Sequence, residues 1–270
     1  MKHLLLASIV VVSLISHAQI NPKKDPKYDY CYKETSFETD DYKIYFLDAV
    51  NTDERAKFKI RVFNKTNDYI IFKPTDLIFK INGSDLPSGD KPMTIGPNDE
   101  SAKVIDVKGK GLQVEKFTFE LKAVYKVAAN SPGIKTADFD LPPSKNDFTT
   151  GNFKCKLLNN KLKTDKSSAQ FGCTYEGDGI GIIDPYKCAA IMPKGKENAN
   201  SKNYTGMLMD KGKYEDFNVE FKEISGGGDM QKGGLKIKWN DTFRESKISP
   251  LKGGTIQMEI DTEKSIEKNK

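Results

Sequence analysis

Four cysteines and scattered carboxylates are the side chains through which this 270-residue chain could do chemistry. The only histidines, His3 and His17, stand among the first eighteen residues. If that segment is removed, as argued below, no imidazole remains. A Ser-His-Asp triad, a Cys-His dyad and an imidazole metal ligand are then all closed to the protein. Serine-lysine catalysis would need a Ser-x-x-Lys at a helix start, whereas Ser144-Lys145 and Ser201-Lys202 read as solvated loop residues. Paired carboxylates could hydrolyse a glycoside, the candidates being Glu38, Asp40 and Asp41, or Asp138 and Asp140. The same oxygens could hold calcium, and Asp138-x-Asp140 is the best candidate for that ion. No EF-hand loop accompanies it, and no other cofactor is expected. Gly177-Asp178-Gly179 and Gly226-Gly227-Gly228-Asp229 lack the phosphate-loop order and read as hairpin loops.

Cys31, Cys155, Cys173 and Cys188 are even in number, and none is spaced C-x-x-C. In an exported chain that pattern favours disulfides over metal or redox sites. Export is expected from the N-terminus. Lys2 and His3 precede the apolar run Leu4 to Ile15, and Ser16-His17-Ala18 offers a small-x-small cleavage site. The run is too short to span a bilayer, no cysteine follows the site, and no second long apolar segment exists. A signal peptide over 1–18 and a mature chain with no transmembrane segment follow, bound for the periplasm, the surface or the medium. Of 43 Lys plus Arg and 38 Asp plus Glu, cleavage removes one lysine. The net charge falls from +5 to +4 (42 − 38).

The elements that must position these groups are strands. Ile44 and Phe46 share a face, as do Phe58, Ile60 and Val62, then Leu77, Phe79 and Ile81. Phe117 to Val127 alternates most clearly, and Leu235, Ile237 and Trp239, then Ile256, Met258 and Ile260, close the chain. No window carries a helical stripe. Residues 19–36 read as an N-terminal arm containing the tyrosine row Tyr28, Tyr30 and Tyr32, a possible sugar platform but better suited to packing. Residues 129–147, with Pro132 and Leu141-Pro142-Pro143, read as a stiff linker. Beyond the linker the first half returns in degraded form. Tyr69 to Pro74 lies on Ile180 to Pro185, Ile60 on Phe171 and Val62 on Cys173. Val104 to Lys110 lies on Met207 to Lys213, and Phe117 to Glu120 on Val219 to Lys222.

Short strands in units of about 100 residues predict an all-β protein of two tandem β-sandwiches, over 37–128 and 148–262, with a charged tail over 263–270. In segments such as Phe58-Lys59-Ile60-Arg61-Val62-Phe63-Asn64 the chain resembles tandem immunoglobulin-like modules of exported bacterial proteins of Bacteroidota type. The Cys, Trp, Cys order of antibody domains is absent. If Lys154 to Leu158 and Ala169 to Tyr175 are antiparallel neighbours, Cys155 and Cys173 stand opposite each other, where Ile44 and Val62 stand in the first unit. Cys173 with Cys188 is the main competitor. Cys31 either ties the arm to the second unit or stays free.

Lysines alternate with apolar residues, as at Lys236 and Lys238, and read as the wet face of a sheet that resists edge pairing. Nucleic acid is not an expected partner. The expected role is non-enzymatic: binding, adhesion or scaffolding in the cell envelope, with an envelope protein or glycan as partner. Two alternatives are a carboxylate-dependent enzyme or accessory factor acting on envelope polysaccharide, and an exported inhibitor or chaperone-like partner protein.

Overall fold

The computed structural model describes residues 27–202 and 206–270. The expected signal segment 1–18, with both histidines, lies outside them. The protein is all-β, built of several antiparallel sheets, with two short α-helices among the described residues, Met230–Gly233 and Thr262–Lys268, that the sequence pattern did not announce.

Alternation explains the strands. In Arg55–Asn64, Ala56, Phe58, Ile60 and Val62 point inward and are buried, while Arg55, Lys57, Lys59, Arg61 and Phe63 point out. This strand lies between Tyr42–Asn51 and Glu100–Lys108, and Tyr30–Cys31 and Thr35–Glu38 both pair with Tyr42–Asn51. The result is a five-stranded sheet over a core that includes Ile44, Phe46, Phe79 and Phe119. A second sheet, ordered Thr255–Glu259, Lys116–Glu120, Ile78–Ile81, Ser84–Pro87, and a third, ordered Ile248–Pro250, Val124–Val127, Tyr69–Phe72, Met93–Ile95, complete the first half.

The same order recurs further along. Asp147–Thr150, Phe153–Lys161, Lys166–Tyr175 and Tyr214–Lys222 form one sheet. Phe139–Leu141, Leu235–Lys238, Ala189–Ile191 and Glu197–Ala199 form another, and Met207–Met209, Ile180–Ile183 and Phe243–Ser246 a third. The central strands start 111 residues apart, at 55 and 166, as do Tyr69–Phe72 and Ile180–Ile183, at 69 and 180. Both of the latter are buried along their whole length, because each has a core on one face and the other half of the molecule on the other. Tyr69, Ile71, Val127, Ile180, Ile182 and Leu208 form that junction.

Two of the expected correspondences have a different register. Met207–Met209 pairs with Ile180–Ile183 as Met93–Ile95 pairs with Tyr69–Phe72, so it does not match Val104 to Lys110. Tyr214–Lys222 holds the place of Glu100–Lys108, so Val219 to Lys222 does not match Phe117 to Glu120. The boundaries 37–128 and 148–262 also cut across the strand pairing. Phe139–Leu141, inside the expected linker 129–147, pairs with Leu235–Lys238. Ile256 and Met258, expected in the second sandwich, are buried in the first core, where their strand pairs with Lys116–Glu120. Each half thus hands its trailing segment to the other. The expected tail 263–270 is mostly the helix Thr262–Lys268, which packs beside Tyr30–Cys31.

Among the described residues no helix is long and apolar enough to cross a membrane.

Candidate functional site

The cysteines resolve into one bond and two thiols. Cys155 and Cys173 are directly opposite in register and form a disulfide, with Cα atoms 4.1 Å apart. Ile44 and Val62 face each other at the matching place in the first half. A disulfide is consistent with an oxidising compartment. Cys31 and Cys188 are free and buried. Cys31 therefore does not tie the arm to the second unit, and Cys188 does not compete for Cys173. Burial pushes the Cys188 thiol up to about 12 and raises that of Cys31, so neither is poised as a nucleophile.

The expected acid pairs are dispersed. Asp138 and Asp140 flank buried Phe139, and Asp140 lies 3.8 Å from Lys236 Nζ. Among the described residues no three His, Cys, Asp or Glu side chains gather as a metal site would require. Glu38 is clamped by Lys65 at 2.5 Å and Lys43 at 3.1 Å, which holds its carboxyl below the usual range. Asp41 lies 4.0 Å from Lys126, and Asp40 is exposed. Asp178 and Glu245 share a cleft of about 500 Å³. Lys211 holds the Asp178 carboxyl below its usual range, the opposite of what a general acid needs. Glu245 Oε1 accepts from Asn152 Nδ2 at 2.9 Å. In the tyrosine row, Tyr30 and Tyr32 are buried and Tyr28 packs against the first core. Tyr32 donates to the Val114 carbonyl at 2.5 Å. The row is part of the core and offers no platform.

A buried ionic cluster joins the halves. Asp184, fully buried, pairs with Arg244, which is 3% exposed. It also accepts from the Tyr69 hydroxyl at 3.2 Å and lies 3.8 Å from Lys187 Nζ. A Cβ on Gly206 would fall 2.1 Å from the Asp184 carboxylate and 2.2 Å from the Tyr69 hydroxyl, so only glycine fits against the pair. Removing one partner would strand a buried charge. The Arg244 Nε is buried without a hydrogen-bond partner, and the cluster reads as a fastening between halves.

The outward face of the first five-stranded sheet is different. Arg55, Lys57, Lys59 and Arg61 stand in a row along one strand, spaced ~6.8 Å because alternate residues share a face. Lys57 lies between Val50 and Asp106, Lys59 between Leu47 and Val104, and Arg61 between Tyr45 and Ala102. Val104 is 46% exposed. Arg55 Nε donates to Asp106 Oδ1 at 2.8 Å, and its Nη2 reaches the other carboxylate oxygen. That guanidinium holds the Asp106 carboxyl below its usual range. Among the described residues Lys57, Lys59 and Arg61 form no ion pair. At the Arg55 end a cleft of about 380 Å³ is lined by Asp29, Asp48, Val50, Lys57, Lys59 and Lys268, among others. Its size is at the lower end for small-ligand sites. Asp48 occupies it from a bulge in the strand, at φ +52°. Lysines alternating with apolar residues were visible in the sequence. Their alignment beside exposed Val104 and a cleft was not, because the neighbouring strand comes from forty residues away.

No protein-family model matches the sequence, and a search of curated proteins returns no match. Among solved structures the chain is similar to the yjhA protein from Bacillus subtilis, at 10% identity and a TM-score of 0.28, over 33% of this chain and 78% of that one. It is also similar to the YadV chaperone, at 10% identity and a TM-score of 0.18, over 72% and 92% of the two chains. A third likeness is to red sea bream transglutaminase, at 6% identity and a TM-score of 0.18, over 82% and 31%. At scores this low none of them bears on fold or function. What the sheets themselves define is a mostly-β protein compatible with a β-sandwich.

Proposed function

We propose that the protein is an exported, non-enzymatic binding protein of the bacterial cell envelope, and that the outward face of its first five-stranded sheet is the contact surface. The row Arg55, Lys57, Lys59 and Arg61 carries this reading. Of these, Lys57, Lys59 and Arg61 form no ion pair among the described residues; like charges held side by side repel one another, whereas they raise the local concentration of an anionic partner. A sheet fixed by its core needs no backbone ordering when it binds. We further infer that the two halves are copies of one immunoglobulin-like β-sandwich unit, joined by duplication. The recurring strand order and the 111-residue spacing support that reading.

The test is fractionation of cells expressing the full chain, followed by co-sedimentation of purified protein with an envelope fraction. The mature protein should begin near Gln19 and leave the cytosol. Sedimentation should be reversed by salt and weakened by Lys57→Ser/Lys59→Gln. A chain that keeps residues 1–18 in the cytosol, or sedimentation indifferent to those substitutions, would sink the reading.

A further inference from the structure

Resting on the reading of this face as the contact surface, we propose that its ligand is a linear acidic polysaccharide, lying along the Arg55 to Arg61 row with one end in the adjoining cleft. Three features single out this ligand class. First, the cations are not alone: Leu47 and Val104 flank Lys59, Val50 flanks Lys57, and Tyr45 flanks Arg61. Low apolar surfaces beside cations suit sugar rings, which present C–H faces and project their charges sideways. A nucleic acid strand would call for a run of aromatic platforms for its bases, and among the described residues Tyr45 beside Arg61 and Phe63 at the far end of the strand are the aromatic side chains next to the row.

Second, the cleft mixes signs. Asp29 and Asp48 line it together with Arg55, Lys57, Lys59 and Lys268. Lys268 lies 3.7 Å from Asp29. A densely charged ligand with no hydroxyl groups to donate, such as polyphosphate, would meet these carboxylates at close range and be repelled. A chain with spaced carboxylates and many hydroxyls meets a matching pattern: lysines donate to its carboxylates, and Asp29 and Asp48 accept from its hydroxyls.

Third, the matching sheet of the second half lacks the row. Lys166, Ser168, Gln170, Gly172 and Thr174 take the places of Arg55, Lys57, Lys59, Arg61 and Phe63. Lys166 is paired with Glu220 at 2.9 Å, and the Tyr214 ring covers Gly172 so closely that a Cβ would fall 2.0 Å from its hydroxyl. The fold can be built without the row, so the row is free to serve a ligand.

The experiment is affinity electrophoresis of the full-length protein through polygalacturonate, dextran and inorganic polyphosphate, with flotation on phosphatidylglycerol vesicles as a fourth arm. Polygalacturonate should retard the protein, dextran should not, and polyphosphate should bind at least tenfold more weakly. Lys57→Ser/Lys59→Gln, which writes the second half's residues onto the first, should weaken polygalacturonate binding at least tenfold while leaving thermal unfolding unchanged. Asp29→Asn/Asp48→Asn should weaken polygalacturonate binding and tighten polyphosphate binding. Equal or tighter binding of polyphosphate or vesicles, still lost in the lysine variant, would overturn the polysaccharide and leave the face as the contact surface. Polygalacturonate binding unchanged in the lysine variant, or no retention by any anion, would overturn both.

Discussion

Arg55, Lys57, Lys59 and Arg61 on one sheet, and Lys166, Ser168, Gln170 and Gly172 on the other, hold matching places in strands that pair in the same order. Behind them, Ala56, Phe58, Ile60 and Val62 match Ser167, Ala169, Phe171 and Cys173, and all eight are buried. The inward rows agree in character because each must fill a core. The outward rows are released from that demand and have gone different ways. The second sheet keeps Lys154 and Lys156 on a neighbouring strand, but its central strand is neutral beyond Lys166. A loss of charge on the side that folding does not constrain points to function on that side.

The largest effect should come from the feature the halves share, the borrowed trailing segment. Ending the chain after Ser246 removes Ile248–Pro250, Thr255–Glu259 and the helix Thr262–Lys268. It uncovers Lys116–Glu120 and deprives the first core of Ile256 and Met258. The first half should lose amide protection from hydrogen exchange in Tyr42–Asn51 and Arg55–Asn64, while Lys166–Tyr175 stays protected. The gentler matched pair is Met258→Ala and Leu141→Ala. Both side chains are 1% exposed, at equivalent places in the two borrowed strands. Each should cost ~2–5 kcal/mol by denaturant unfolding. Protected strands in the truncated chain would break the equivalence.

Next in size is the inward pair where the halves differ most in chemistry. Reducing Cys155–Cys173, which are 18 residues apart in sequence, should destabilise the second half by roughly 3 kcal/mol in the chain-entropy model. Ile44→Cys/Val62→Cys places thiols in the same register in the first half. Under oxidising conditions that variant should form the matching bond, visible as a loss of two thiols in a mass-spectrometric count. Failure to close would show that the two inner rows are not superposable at this point.

Local pattern carried much of this into the sequence. The period of two in Phe58 to Val62 specifies a strand and its buried face whatever lies next to it. Tyr69 to Phe72 and Ile180 to Ile183 are apolar throughout because both their faces are covered, and Cys155 and Cys173 stand opposite because a short hairpin fixes their register. The rest depends on partners far along the chain. Ile256, Met258 and Ile260 announce a strand, but nothing in their spacing says that the strand lies against Lys116–Glu120. Asp184 precedes a proline and reads as a turn residue until Arg244, sixty residues on, is brought against it. The cationic row was visible as separate lysines and arginines. It becomes a site only when Glu100–Lys108 puts Val104 beside Lys59, and when the C-terminal helix brings Lys268 to the cleft.

The smallest effect concerns the one carboxylate that neutralises part of the row. Arg55 holds the Asp106 carboxyl below the usual aspartate value, chiefly through the hydrogen bonds it donates. A carboxylate depressed in the folded protein contributes its stabilisation fully above the unfolded value and loses it as pH falls through the folded value. Asp106 should therefore titrate below the usual aspartate value in an acid NMR titration of side-chain carboxyls. The guanidinium is half exposed, so solvent screens the pair and unfolding should hardly register its loss. Binding should register it. Protonating Asp106, or replacing it in Asp106→Asn, frees Arg55 and adds a positive charge to the face. Affinity for polygalacturonate should then rise at constant salt, and its salt dependence should steepen. The parallel change in the second sheet, Glu220→Gln, frees Lys166 beside a neutral strand and should leave binding where it was. An equal response to both substitutions would mean that net charge alone governs association, and that the four-residue row has no privileged place on the molecule.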